Sequence, residues 1–407
     1  LIAFGSAIAE AATAAEGARR ATAEAILHLH AQPALAIVFA SPDYADLAEV
    51  PAAVGAALGG IPVIGGTSGG SIIGPEGVAT HGVSVVVLGG DLEVAAVSAP
   101  IASPDLVEIV PPAKALGRSA DRAGERGLSE LTCLAFGPGI YCDGEAMVAA
   151  IRKGVGPRAQ LAGALTGDDL TFDRTRVFAD GGVHGDRIAL AGVFTRVPLG
   201  IAARHGYRPV GHVRTVTRAE GPWLVALDGR PAFDAWADDV RAAGGHLPNG
   251  RGKDVTAYLA NHFELGVGDF GRRRGQDTDA GLVEPVVRAP FAIREDGAVR
   301  MSASLAEGAR TRVMHATRDD LLQASRQAAE LASSRAGKRL SGALVLACTG
   351  RLAALGNDFA REPASIARLL HAPIGGACVF GEIARSRRDA DAFHNTTTVV
   401  VAVPSAA

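Results

Sequence analysis

The sequence is short of several residue types, and each shortage closes off a class of protein. Four cysteines occur in 407 residues, Cys133, Cys142, Cys348 and Cys378, and no two form a CxxC pair. That is too few for a disulfide framework in a chain this long and lacks the spacing of a zinc site. Cys133, Cys348 and Cys378 lie in apolar runs, where cysteine behaves as a small hydrophobe, so a reducing, cytoplasmic setting is expected. Aromatic residues make up 5% of the chain, which leaves Val, Leu, Ile and Ala to build the core. The formal net charge is −3, and the one basic block, Arg272-Arg273-Arg274, sits among Gly and Asp and reads as a solvated loop. Without a clustered basic footprint, nucleic acid is not an expected partner. No uninterrupted apolar run approaches the roughly twenty residues of a membrane-spanning helix, so no membrane association is expected. The opening Leu1–Gly5 has no basic segment leading into an apolar run, so no signal peptide is expected.

What is present points to a folded, layered protein. Hydrophobic residues make up 48% and charged residues 20%, and the length suggests two domains. The main signal is internal repetition. A first copy runs from the apolar segment Ala34–Ser41 through a helical stretch, about 43–58, to Ile61–Ser68 and then to Gly82–Leu88, with Leu92–Val97 after a turn. A second starts at Leu131–Pro138, continues through a helix at about 144–154 to the glycine junction Leu161–Asp169, and closes with strands at 176–178 and 187–194. A third has its strand at Ala343–Gly350, a helix including 363–370, a junction at Ile374–Glu382 and a closing strand at Thr397–Val403. In each copy about thirty residues separate the start of the first strand from the glycines, which is enough for a crossover helix and too many for a hairpin. The expected class is α+β: repeated β-α-β-β units forming mixed, largely antiparallel sheets with helices packed on the outer faces. The halves are placed at 1–210 and 211–407, and the polar, Gly-rich segment 244–281 is expected to be a mobile loop.

Several residues qualify for chemistry, each beside a plainer reading. Gly66-Thr67-Ser68-Gly69-Gly70 matches the G-x-S-x-G nucleophile elbow, but Ser71-Ile72-Ile73-Gly74-Pro75 cannot easily start the helix that the motif requires. A tight turn or a pocket-lining junction is the better reading of Thr67 and Ser68. Asp168 and Asp169 are adjacent, so on a strand they face opposite sides; an Asp turn competes with a ligand contact. Glu382 follows an apolar strand, where a carboxylate needs either solvent or a partner. His394 and Asn395 precede the last strand and supply donors and acceptors suited to a small polar ligand, or to a strand entry. Cys348 with His394 would suit a thiol nucleophile with Arg351 nearby, yet Cys348 ends an apolar strand and reads as packing. The histidines show no metal-ligand spacing, and Gly65–Gly74 lacks the lysine and following helix of a phosphate loop, so no metal and no cofactor are expected.

Taken together, Ile64–Gly70, Gly163–Phe172 with Val177-Phe178, Leu227–Ala232, Cys348–Arg351, Phe380–Ile383 and His394–Thr397 resemble the FIST family of sensory domains, with its N-terminal and C-terminal halves. The resemblance implies an intracellular sensory protein, not an enzyme, that binds a small ligand such as an amino acid and signals through a protein partner. Thr67, Ser68, Asp168, Asp169, Arg351, Glu382, His394 and Asn395 are the candidate ligand contacts. Two departures are read from the sequence: no fused output domain is expected, so the partner would be separate, and Ser71 stands where relatives often carry glutamate. The alternatives are a hydrolase using Ser68 or Cys348, and a protein-binding scaffold without a ligand.

Overall fold

A computed structural model of the chain describes residues 1–270, 284–337, 339–385 and 391–405. The first repeat unit begins earlier than the pattern suggests, with β1 (Ile2–Ala9) and helix α1 (Ala14–Leu29) ahead of β2 (Pro33–Ala40). It continues with α2 (Val50–Ala57), β3 (Val63–Thr67), the short β4 (Ile72–Gly74) and β5 (Gly77–Ala79), and β6 (Val83–Gly90). The second unit has the same order: β7 (Glu93–Pro100), α3 (Val110–Gly124), β8 (Glu130–Pro138), α4 (Gly144–Val155), β9 (Gln160–Thr166), β10 (Val177–Ala179), β11 (Gly182–His184) and β12 (Arg187–Thr195). The segment at 92–97 therefore opens the second unit and does not close the first. The third unit starts at β13 (Gly200–Arg204), and a large insertion then intervenes. This holds β14 (Arg208–Pro209), β15 (Arg214–Glu220), β16 (Trp223–Leu227), β17 (Arg230–Pro231), α5 (Ala232–Ala242), α6 (Lys253–His262), β18 (Phe263–Val267), β19 (Val286–Arg288), β20 (Pro290–Ile293), β21 (Val299–Met301) and β22 (Arg310–His315). The unit resumes with α7 (Arg318–Ala336), β23 (Leu340–Cys348), α8 (Thr349–Leu355), α9 (Arg361–Leu370), β24 (Ile374–Val379), β25 (Glu382–Arg385), β26 (Asp391–His394) and β27 (Thr398–Pro404).

Each unit contributes four strands to its own six-stranded sheet and lends its short hairpin to a neighbour. Hairpin β4–β5 joins β24 of the third unit, β10–β11 joins β3 of the first, and β25–β26 joins β9 of the second. The exchange is cyclic, so the three units close on themselves. In each sheet one pair is parallel (β2 with β3, β8 with β9, β23 with β24) and the rest are antiparallel, which is the mixed, largely antiparallel α+β arrangement that the pattern predicts.

Strand alternation explains the layers. Leu35, Ile37 and Phe39 of β2 point into a core shared with Leu134 and Phe136 of β8 and Leu344 and Leu346 of β23. The intervening Ala36, Val38 and Ala40 face α1 and α2, Cys133 and Ala135 face the α3–α4 layer, and Ala343, Val345 and Ala347 face α7 and α9. Strands covered on both faces must be apolar throughout, which is why they stand out as continuous runs. The helices sit close because their contact faces are Ala-rich: Ala14, Ala18, Ala21 and Ala25 of α1 are fully buried. The insertion has its own core around Trp236, whose indole N–H donates to the Phe263 carbonyl at 3.1 Å.

The segment 244–281 is not one long loop. Residues 253–262 form α6 and 263–267 form β18, because Val255, Leu259, Phe263 and Leu265 bury against the insertion core. The Arg272–Arg274 triplet lies outside the described residues. No helix among the described residues is long and apolar enough to cross a membrane.

One glycine recurs at the same place in every unit. Gly65, Gly163 and Gly376 have φ of 125°, 155° and 151°, and each lies opposite Val38, Ala135 or Val345 of the parallel neighbour. A Cβ there would fall 2.0, 1.8 or 1.9 Å from that residue's carbonyl oxygen. A Gly163→Ala substitution is expected to cost about 2 kcal/mol or more. A Gly181→Ala control, at φ 74° with no atom within 4 Å of the added carbon, should cost about 1 kcal/mol. Denaturant titration of the two variants measures the difference, and equal losses would show that the close approach is not what requires glycine.

Candidate functional site

The junction strands meet where the units exchange hairpins, and backbone groups stitch each boundary in the same way. Gly167 N–H donates to Thr67 O at 3.0 Å, and Thr67 N–H donates to Arg176 O at 2.9 Å. Phe380 N–H donates to Leu165 O and Leu165 N–H to Gly381 O, both at 2.9 Å. Gly69 N–H donates to Cys378 O at 2.7 Å, and Cys378 N–H donates to Ser71 O at 2.8 Å. Thr67 reinforces the first boundary, its Oγ1 donating to Gly167 O at 2.6 Å and accepting from Arg176 N–H at 2.9 Å. Ser68 is buried beside it, and its Oγ has no hydrogen-bond partner among the described residues, so no base is hydrogen-bonded to it as a serine nucleophile requires.

A buried polar seam runs between the insertion and the third unit. Arg351 is fully enclosed and uses all five N–H groups. Nε donates to both Glu362 oxygens at 3.1 and 3.0 Å, Nη2 to Glu362 Oε2 at 2.6 Å and Leu321 O at 2.7 Å, and Nη1 to the carbonyls of His205 and Thr396 at 3.0 and 3.4 Å. Glu362 also accepts from Thr398 Oγ1 at 2.5 Å. From the insertion, Glu264 accepts a 2.5 Å hydrogen bond from Thr396 Oγ1, and Arg288 donates to Phe393 O at 3.1 Å and to Asn395 Oδ1 at 3.3 Å. Arg288 also pairs with Glu145 of the second unit and lies 5.6 Å from the centre of the Phe393 ring. These contacts pin the insertion to the body at two places.

Glu382 and His394 face each other across the β25–β26 ladder, also inside the protein. Burial pushes the Glu382 carboxyl well above its usual range, and Arg351, the Cys348 thiol and the Thr397 backbone amide offset only part of that. Burial likewise pushes the Cys348 thiol well up, with Glu382 adding to it, so Cys348 is held as a thiol and not as a nucleophilic thiolate. His394 is pushed down to about 3 by burial, against the pull of its hydrogen bond to Ala384 O, and stays neutral. Among the described residues, no group of three His, Cys, Asp or Glu is arranged to hold a metal ion.

Beside the seam lies an open cleft of about 500 Å³ between the second unit and the insertion. One wall is Ile101–Pro104, Leu106 and Gly139–Asp143; the other is Pro222, Phe291 and Arg300–Ser304. Ser302 fixes the second wall by donating to Asn395 Oδ1 at 2.8 Å and accepting from Ala289 N–H at 3.0 Å. Asp143 caps α4 through Oδ1, at 2.9 and 3.0 Å from the Glu145 and Ala146 amides, and accepts from Ser304 Oγ at 3.2 Å. At the edge, the loop after β9 is wound around Asp168, which accepts from the amides of Phe172, Asp173 and Arg174 at 3.1, 2.9 and 3.0 Å. Burial raises its pKa, but these donors outweigh burial and hold the carboxyl below the usual range. The loop projects Phe172 between Phe380, at 5.3 Å, and Phe291, at 5.7 Å.

The eight residues singled out in the sequence fall into three places. Thr67 and Ser68 are at the first boundary, and Asp168 and the exposed Asp169 are on the loop at the cleft edge. Arg351, Glu382, His394 and Asn395 are brought together along the seam, and Asn395 reaches the cleft wall through Ser302. Sequence reasoning missed Glu264, Arg288 and the cleft residues Tyr141, Phe291 and Arg300. Glu264 carries the same signal as Glu382, a carboxylate inside an apolar strand. Tyr141, Phe291 and Arg300 sit on short segments of two units that nothing in the chain order connects.

Glu264 has a measurable consequence. Burial raises its pKa from 4.5 to about 8, which Thr396 and Arg351 only partly oppose. Between these values the unfolded chain has lost the proton that the folded chain retains, so stability falls as pH rises. A Glu264→Gln variant keeps an acceptor for Thr396 and should flatten that fall, gaining on the wild type at pH 8 but not at pH 4.5. Parallel stability curves for the two proteins between those pH values would contradict the assignment.

A cyanuric acid hydrolase from A. caulinodans aligns over 100% of both chains at 10% identity, with a TM-score of 0.31. A glutamine-dependent NAD+ synthetase from Acinetobacter baumannii aligns over 70% of this chain and 65% of its own at 13% identity, with a TM-score of 0.11. Both scores are too low to support any inference. No curated protein matches the sequence. The model of the FIST N domain matches residues 34–230 and that of the FIST C domain matches residues 232–385. The chain belongs to the FIST family, whose domains are associated with sensory signal transduction.

Proposed function

We propose that this protein is a cytoplasmic ligand sensor without catalytic machinery, and that the cleft between the second unit and the insertion is where a small metabolite binds. The observation that carries this reading is the cleft itself. It has about 500 Å³ of open volume, enough for a small molecule, and exposed aromatic side chains converge at it. Its two walls come from the two proposed halves of the chain, 1–210 and 211–407, so an occupant would bridge them. The wall on the insertion is continuous with the buried seam through Ser302 and Asn395, which gives ligand binding a physical route to the third unit. A change in the seating of the insertion is what a separate partner protein would read. Four buried free cysteines suit the reducing compartment proposed here.

The hydrolase reading has less support. Ser68 has no base hydrogen-bonded to its Oγ among the described residues, and Cys348 is a buried, protonated thiol. Native protein treated with serine-directed and thiol-directed probes is expected to show no site-selective labelling at either residue; rapid stoichiometric labelling of one would revive that reading.

A thermal-shift screen with amino acids and related metabolites tests the sensor. A ligand binding the folded state raises the melting temperature by mass action, by an amount set by its concentration over Kd. The shift should vanish in a Tyr141→Ser, Phe291→Ser double variant, whose exposed positions leave folding intact, and weaken in Asn395→Ala. A shift that the double variant retains in full would place the ligand elsewhere.

A further inference from the structure

We infer that the cleft is built for a small planar carboxylate, its ring lying against the aromatic side chains and its anionic group meeting Arg300; this rests on the reading of the cleft as the ligand site. The argument starts from which polar groups on the walls are already committed. Asp143 spends one oxygen on the α4 amides and the other on Ser304. Ser302 both donates and accepts within the wall. Arg300, exposed on β21, makes no ion pair and no side-chain hydrogen bond among the described residues. The uncommitted charge on the walls is therefore a guanidinium, whose planar fork of donors matches a carboxylate.

The apolar part of the site argues for a planar ligand. Tyr141 is 59% exposed and Phe291 44% exposed, on opposite walls of the same cleft. Exposed aromatic faces on both sides of a cleft favour a flat ring that can stack on them. The loop at the edge adds a second, independent sign. Leu170 and Phe172 are exposed apolar residues held at φ of 62° and 57°, a region that bulky side chains rarely adopt. The Asp168 knot holds the backbone there and seats Phe172 between Phe380 and Phe291. The row of rings extends the aromatic surface from the unit junction to the lip of the cleft.

Calorimetric titration of the full chain separates the two parts of the claim. Indole-3-acetate and phenylpyruvate are the probes; cyclohexanecarboxylate keeps the charge without the aromatic face, and benzyl alcohol keeps the ring without the charge. At least one planar carboxylate should bind at least tenfold more tightly than either control. Arg300→Gln should weaken that binding about tenfold, whereas Arg300→Lys should restore part of it. Phe291→Leu, which keeps an apolar surface, should reduce the preference for the planar acid over cyclohexanecarboxylate. Equal binding of acid and alcohol, or an Arg300→Gln variant with wild-type affinity, overturns the inference. If no planar carboxylate binds but another metabolite gives a thermal shift that Tyr141→Ser, Phe291→Ser removes, the ligand class is wrong and the cleft reading stands. If nothing in either set binds, both fail.

Discussion

The architecture depends on the backbone stitching at the three unit boundaries. Each boundary is made by the same two hydrogen bonds, from residues 167 and 67, 380 and 165, and 69 and 378, so the three units are joined in a closed cycle. Backbone pairing of this kind needs the strands close together, and glycine allows it: a Cβ on Gly66 would fall 2.1 Å from Arg176 O and one on Gly167 2.5 Å from Gly69 Cα, while Gly65, Gly163 and Gly376 let each junction strand close on its parallel neighbour within the unit. The lent hairpins follow from the same geometry. A hairpin whose strands have only three or four residues is too short to be stable alone, but pairing with the junction strand of a neighbour satisfies its backbone and covers an edge. Closing three units in this way produces the shared core, because each sheet then has an inner face that meets the other two.

The symmetry is broken by chemistry at the third unit. At the position of Gly69 and Gly167 it carries Phe380, and between its first strand and first helix it carries the whole insertion. Attaching that insertion leaves charged groups inside the protein, and the seam shows two ways of managing them. Arg351 and Glu362 are fully buried, but each charge has its counterion and every guanidinium donor has an acceptor, which offsets desolvation. Glu264 and Glu382 lack a full set of partners and are instead driven toward the neutral acid. A seam of this sort holds the insertion in one orientation, and that orientation sets the width of the adjacent cleft.

Much of this was legible in the residues, for a physical reason. Strands buried on both faces must be apolar without interruption, so Ala34–Ser41, Leu131–Pro138 and Ala343–Gly350 announce themselves and reveal the repeat. The first strand and helix of the first unit escaped because Ile2–Ala9 is broken by Gly5 and Ser6, and α1 is an Ala-rich helix whose polar residues interrupt its periodicity. The Asp turn at Asp168 could be read because it is local. The helix at 253–262 could not, because it is short and follows the turn-like stretch Pro248–Gly252, and it forms by burying Val255 and Leu259 against residues far away in the chain.

What the sequence determined by itself was therefore the repeating β-α-β-β part of the unit, its α+β class and its likeness to the FIST family, since these depend on local propensity, burial pattern and order along the chain. The tertiary structure alone decided which sheet each hairpin joins, that Asn395 backs a cleft wall, and that Tyr141, Phe291 and Arg300 face one cleft. Those outcomes turn on closure of three units and docking of an insertion. Such contacts join segments separated by 93 positions or more, and no periodicity in the chain records them.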